Sequence, residues 1–259
     1  MWQRLNHGYR ILATGFCFSV FGIGGLILSL LVLPVQRLWI RDVGQRKTAA
    51  RYLVHRSFKF FIRLMRVTGV FHFDFPDDAE LAQASGKILI ANHPSLIDVV
   101  ALISLLPKAD CVVKAQLFRN PFMRGVIQST GYLTNADPDA LLQDCSLSLQ
   151  QGNTLIIFPE GTRTTPGTLQ HFQRGAANIA LRSGCNFLAC LIHCQPTTLT
   201  KQEAWHQVPA QRPTLTIAVL QEFDIQPYRH QDSSSLAARQ LTRNLETFYH
   251  QVLINHGTT

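Results

Sequence analysis

The chain has 259 residues, enough for one large α/β unit and an attachment segment. Its net charge of +8 is local: Gln36 to Val70 holds nine Lys and Arg and one acid, Asp42, and beyond residue 70 thirteen bases meet fifteen acids, which excludes a broad basic face for nucleic acid. The six cysteines form no CxxC pair, and Cys190, His193 and Cys194 lack a second ligand pair at zinc spacing, so buried free thiols and no metal are expected.

Ile11 to Leu33 is a run of 23 residues without a charge, where about 20 suffice to cross a bilayer as a helix. The run exceeds a signal-peptide core, no small-x-small cleavage site follows, and Pro34 leads into basic sequence, so it reads as a membrane anchor. Arg4 and Arg10 precede it and five positive residues follow by position 51, which places the main domain on the cytoplasmic face, at the inner membrane in a bacterium. From Arg56 to Val67, Phe58, Phe61, Ile62 and Met65 recur at helical spacing opposite Arg56, Lys59, Arg63 and Arg66. This reads as an interfacial helix with its cations at anionic headgroups; the alternative is a core-packing helix with a solvated basic face.

Beyond residue 85, strand patterns at Lys87 to Ala91, Cys111 to Val113, Thr154 to Phe158, Phe187 to His193 and Thr214 to Val219 alternate with helical ones. The helices are expected at Pro94 to Leu106, Leu117 to Ser129, Asp139 to Gln151 and Arg174 to Ser183, with Gly184 as a C-cap. A last amphipathic helix, Ser234 to Ile254, carries a stripe of Leu241, Leu245, Phe248, Tyr249 and Val252. The alternation predicts an α/β fold, a mixed sheet flanked by helices, with an N-terminal membrane-anchoring helical segment. Residues 1–70 are expected to form the anchor and interfacial part, and residues 71–259 the globular α/β domain.

Directly after the first strand stands Asn92-His93-Pro94-Ser95-Leu96-Ile97-Asp98. Residues five apart in a helix point about 140° apart, so His93 pairs with Asp98 only from the turn before the helix. Asp98 would then fix the imidazole tautomer and leave the other ring nitrogen as a base, which is a triad without its nucleophile. Ser95, the one hydroxyl in the motif, suits a helix cap better than a covalent role. A second motif, Phe158-Pro159-Glu160-Gly161-Thr162-Arg163, ends a strand, and Phe172-Gln173-Arg174-Gly175-Ala176-Ala177 opens a helix. Arg163 brings a planar cation suited to a phosphate, Gly161 allows close backbone approach, and Glu160 can hold the loop or the arginine.

In this order and spacing, NHPSLID and FPEGTR resemble the glycerolipid acyltransferase family, whose best-known members acylate 1-acylglycerol-3-phosphate. The resemblance covers roughly residues 50 to 225. It implies His93 as general base with Asp98 as its partner, and acceptor binding by Glu160, Gly161, Thr162 and Arg163. It also implies an α/β domain with a membrane-associating N-terminal part, and no cofactor beyond the acyl donor, acyl-CoA or acyl carrier protein. Where members that acylate glycerol phosphates carry an arginine, this chain has Gly131-Tyr132-Leu133-Thr134-Asn135-Ala136-Asp137, and Leu188 to Ile192 lacks the family's proline. Lys114 is the substitute cation of choice, with Arg119 and Arg124 read as surface charges. The resemblance implies transfer of a fatty acyl group from the thioester to a hydroxyl of a lysophospholipid, without an acyl-enzyme. Membrane lipids are the expected partners. A lyso-aminolipid, a glycolipid or another hydroxylated lipid is the alternative acceptor, and a lipid hydrolase or a non-enzymatic membrane protein are the rival classes.

Overall fold

The computed structural model describes residues 2–113, 115–134, 137–165, 168, 171–231 and 233–255. The charge-free run lies within one long helical rod: α1 (Trp2–Ile27), a five-residue π turn (Leu28–Val32) and α2 (Leu33–Trp39). Pro34 does not end the rod, because in the first turn of α2 its missing N–H costs no hydrogen bond. Among the described residues, Arg4–Trp39 is the one helix apolar and long enough to cross a membrane, and only 17% of its most apolar 18-residue window is buried. Leu12, Phe16, Ile23, Leu30, Leu31, Leu38 and Trp39 are exposed along it, while Ala13, Cys17 and Leu33 face the body.

The chain turns at Asp42, whose carboxylate accepts the Gln45 N–H at 2.7 Å and caps α3 (Val43–Val67). The basic amphipathic stretch is the second half of this helix. Phe61, Ile62 and Met65 are buried inside the protein and Phe58 packs against the same core, which is the core-packing alternative for that stripe. Tyr52, Phe60 and Val67 are the large apolar side chains that α3 exposes beyond its first residue.

The remaining elements follow in the order β1 (His72–Asp74), α4 (Asp78–Ala82), β2 (Ile88–Ala91), α5 (Asp98–Leu105), β3 (Ala109–Val113), α6 (Pro121–Thr130), β4 (Leu133–Thr134), α7 (Pro138–Gln150), β5 (Thr154–Ile157), α8 (Gly175–Ser183), β6 (Phe187–Gln195), β7 (Thr214–Phe223), α9 (Gln226–Arg229) and α10 (Ser234–Asn255). The strands form one seven-stranded sheet in the order β1-β7-β6-β2-β5-β3-β4. β4, β3, β5, β2 and β6 run parallel, and the antiparallel β6–β7 pair reverses β7 and its parallel neighbour β1, so the sheet is mixed as expected. Alternate residues feed two cores: Leu89, Ala91, Leu188 and Ile192 pack with α1, α3, α5 and α6, and Ile88, Ile90, Phe187 and Ala189 pack with α7, α8 and α10.

Two expected helices differ. The helix expected from Pro94 begins at Asp98, because the Asp98 carboxylate draws in both the N–H and the hydroxyl of Ser95 and holds residues 95–97 as a turn. The helix expected over Leu117 to Ser129 divides into a 3-10 turn (Ala115–Arg119) and α6, since Pro121 cannot continue a helix but can start one. Gly184 ends α8 in the left-handed conformation, φ 70°, as anticipated.

An internal ion pair ties α3 to the sheet. Arg51 Nη2 lies 2.8 Å from Asp110 Oδ2, its Nε donates to Thr130 O at 2.9 Å, and Asp110, wholly buried, also accepts from Ser148 Oγ at 2.7 Å and the Cys111 N–H at 3.0 Å. Burial pushes the Asp110 carboxyl above its ordinary value, with Arg51 opposing. Arg51→Met would leave that carboxylate uncompensated and should cost about 3–5 kcal/mol in chemical unfolding at neutral pH. The native carboxyl then holds its proton still more tightly, so the deficit should shrink as the pH is lowered.

Candidate active site

β2 is the central strand of the sheet, and its carboxyl end delivers Asn92 and His93 between the loops that leave β5 and β6. Asn92, buried, behaves as an extra rung of the sheet: its Nδ2 donates to Ile192 O and its Oδ1 accepts the Ile192 N–H, both at 2.8 Å. His93 therefore starts from a backbone that Asn92 ties to β6.

His93 lies in the turn before α5, as the pairing requires, with Nδ1 2.8 Å from Asp98 Oδ2. Asp98 is fully buried and its carboxylate accepts three hydrogen bonds, from His93 Nδ1, the Ser95 N–H at 2.7 Å and Ser95 Oγ at 2.5 Å. A carboxylate partner places the proton on Nδ1 and leaves Nε2 with a lone pair; Nε2 makes no hydrogen bond among the described residues, and the side chain is 15% exposed. Ser95 is wholly buried, donates to Asp98 and accepts the Ile97 N–H at 3.2 Å. Its hydroxyl orients the acid instead of capping the helix and has no path to a substrate carbonyl.

The second motif closes on the first. Glu160 Oε1 accepts the His93 N–H at 3.0 Å and the Thr164 hydroxyl at 2.9 Å, and the Thr164 N–H returns to His93 O at 2.7 Å. The loop thus holds His93 by both of its main-chain groups. Burial raises the Glu160 carboxyl above its ordinary value, opposed by the Thr164 hydroxyl and the His93 N–H. Gly161 sits at φ 66° with its N–H on Phe158 O at 3.0 Å, a turn that a side chain would strain. Phe158 stacks on the imidazole, centroids 4.2 Å apart, and forms one wall.

Arg163 is already partly engaged. Its Nη1 donates to Leu199 O at 2.9 Å and Thr200 O at 2.8 Å, in the loop after β6, and Nε and Nη2 make no bond among the described residues. Leu199, buried and at φ 55°, also accepts the Leu96 N–H at 3.1 Å, so a left-handed leucine links the loops on both sides of His93. Thr162 is half-buried beside Arg163. Lys114, the expected substitute cation, lies outside the described residues, as do Asn135 and Ala136. The six cysteines are free, burial pushes Cys190 and Cys194 up to about 12, and no group of three or more His, Cys, Asp or Glu among the described residues is arranged to hold a metal. Asn92, Thr164 and Leu199 were not singled out from the sequence. Only Asn92 and Thr164 carried a signal, Asn92 as the first residue of NHPSLID and Thr164 as the residue that follows FPEGTR.

A family model described as Acyltransferase matches residues 72–193. Human 1-acyl-sn-glycerol-3-phosphate acyltransferase beta is 30% identical over 182 residues, 66% of this chain and 59% of that protein. The 1-acyl-sn-glycerol-3-phosphate acyltransferase of Helicobacter pylori is 35% identical over 101 residues, 36% of this chain and 43% of that protein. The chain spans between 29% and 62% of the length of such curated relatives from plants, bacteria and mammals. The crystal structure of the 1-acyl-sn-glycerophosphate acyltransferase from Thermotoga maritima shares the fold, with a TM-score of 0.64 at 18% identity, over 94% of this chain and 97% of that one. The segment 72–193, which carries both motifs, is thus what this chain shares with the acyltransferase family model and with the 1-acyl-sn-glycerol-3-phosphate acyltransferases it resembles.

Proposed function

We propose that the protein transfers a fatty acyl group from a thioester, acyl-CoA or acyl carrier protein, to the free hydroxyl of a lysophosphatidic-acid-type acceptor at a membrane. The observation that carries this reading is the His93–Asp98 pair, with Nε2 turned out and the neighbouring serine locked away. A base without a protein nucleophile needs a substrate hydroxyl. Nε2 takes the hydroxyl proton as that oxygen attacks the thioester carbonyl; the tetrahedral intermediate collapses, the C–S bond breaks, and the thiolate leaves to be protonated by the imidazolium or by water. The buried Asp98 carboxylate stabilises the imidazolium in between. The names of the relatives support a lysophosphatidic acid acceptor.

The free edge of the Arg163 guanidinium is the group that receives the acceptor phosphate in this reading, with Glu160, Gly161 and Thr162 shaping its loop. One observation favours the alternative acceptor without phosphate: the described part of the 131–137 stretch carries no cation, and Arg163 already spends Nη1 on two carbonyls. The exposed apolar flank of α1 and α2 supports attachment by residues 1–70, with the catalytic part over 71–259 on the cytoplasmic side, at the inner membrane in a bacterium.

His93→Ala should lower kcat at least a hundredfold without unfolding the protein, the lower end of what a general base contributes; mass spectrometry of products from labelled acyl-CoA and a panel of lyso-acceptors reads it, and unchanged turnover removes His93 as base. Arg163→Ala should raise the KM for lysophosphatidic acid by about tenfold, the worth of one charge-assisted contact, and leave the KM for a phosphate-free acceptor alone. A uniform effect on both acceptors would assign Arg163 to holding the 199–200 loop.

Glu160→Gln keeps an acceptor for His93 and Thr164 but removes the titration. Because the native carboxyl is raised, the folded wild type binds its proton more tightly than the unfolded chain, and stability falls as the pH rises from about 4.5 through the native value. The melting temperature of the variant minus that of the wild type should therefore become more positive over that interval.

A further inference from the structure

Tyr249 lies on α10, beyond the segment that matches the family model and outside both motifs. Its ring is wholly buried, and its hydroxyl lies 2.6 Å from Ile90 O on β2 and 2.9 Å from Cys190 O on β6. A phenol has one proton, so the two carbonyls share it, and the oxygen sits over the seam between the strands. Ile90 is three residues before His93. Just beyond, Asn92 closes the same seam from within the sheet through Ile192. The β6–β7 ladder slips between Leu188 and Cys190, so the hydroxyl meets β6 where its other edge is irregular.

The ring has a second neighbour. Phe172 packs on it with centroids 5.4 Å apart, and the next residue, Gln173, donates its N–H to Pro159 O at 2.7 Å, beside Glu160. One side chain thus bears on the strand that ends in the base and on the loop that clamps it. Burial keeps the phenol proton on the oxygen by raising its pKa well above the ordinary value, so it stays a neutral donor.

We infer that Tyr249 is a positioning residue for His93, pinning the β2–β6 seam with its hydroxyl and the Glu160 loop with its ring so that the imidazole keeps its place opposite the acceptor oxygen. This rests on the reading of His93 as the base. The other role for a buried tyrosine hydroxyl is to satisfy itself on any carbonyl within reach. Thr242, on the same helix, does that: its buried hydroxyl donates to Ala238 O at 2.7 Å.

The test compares Tyr249→Phe, Thr242→Val and His93→Ala in the full chain, solubilised in detergent, with labelled acyl-CoA and lysophosphatidic acid, assayed well below every melting temperature. Tyr249→Phe should lower kcat about tenfold, since small misplacements of a catalytic group act on the chemical step, with both KM values within twofold of wild type. Thr242→Val should lower the melting temperature comparably and leave kcat unchanged. A Tyr249→Phe kcat within twofold of wild type, or an equal kcat loss in Thr242→Val, overturns the proposal. If Tyr249→Phe does not fold, Phe172→Leu replaces it, with the same kcat loss expected and the same outcome overturning. Retained activity in His93→Ala would instead refute the base, whatever the tyrosine does.

Discussion

A carboxylate removed from water has to be matched on every side, and the site is organised around the one that Asp98 buries. Its three donors are the imidazole and the two polar groups of Ser95. Meeting that requirement delays the start of α5, makes the turn that turns His93 outward, and fixes which ring nitrogen faces solvent. The geometry a base needs thus follows from satisfying one buried charge.

The rest of the architecture holds the two ends of that turn. On the strand side, Asn92 and Tyr249 join β2 to β6; on the loop side, Glu160 and Thr164 grip the main chain of His93. Arg163 and Leu199 tie this loop to the segment after β6. The motif FPEGTR thereby has a mechanical share besides any contact with substrate: Glu160 spends Oε1 on the backbone of His93 itself. The rod of α1 and α2 joins the same body through α3, α5 and α6, whose side chains share one core with β2 and β6.

Much of this could be read from the sequence because it is local. His93 and Asp98 lie within one turn, the β2 run is wholly apolar and β5 is apolar after Thr154, as central parallel strands are, and Gly184 marks a helix end by its conformational freedom. What escaped reading is non-local or too short to have a period. β1 and β4 have three and two residues and pair only at the sheet edges. The partner of Glu160 is 67 residues away, and nothing in the periodicity of α3 told whether its stripe would meet lipid or α5. The stripe of α10 held Tyr249 among core residues, but periodicity reports the face of a helix and says nothing of where a hydroxyl lands.

The brace between α10 and β2 joins residues 159 positions apart. Domains fold as the chain emerges, N-terminal parts first, at about 5–20 residues per second. Roughly ten to thirty seconds of synthesis therefore separate Ile90 from Tyr249 at those rates. The apolar rod leaves the ribosome well before then, so under the proposed function the order of translation would put membrane attachment ahead of the moment when the seam beneath His93 is pinned.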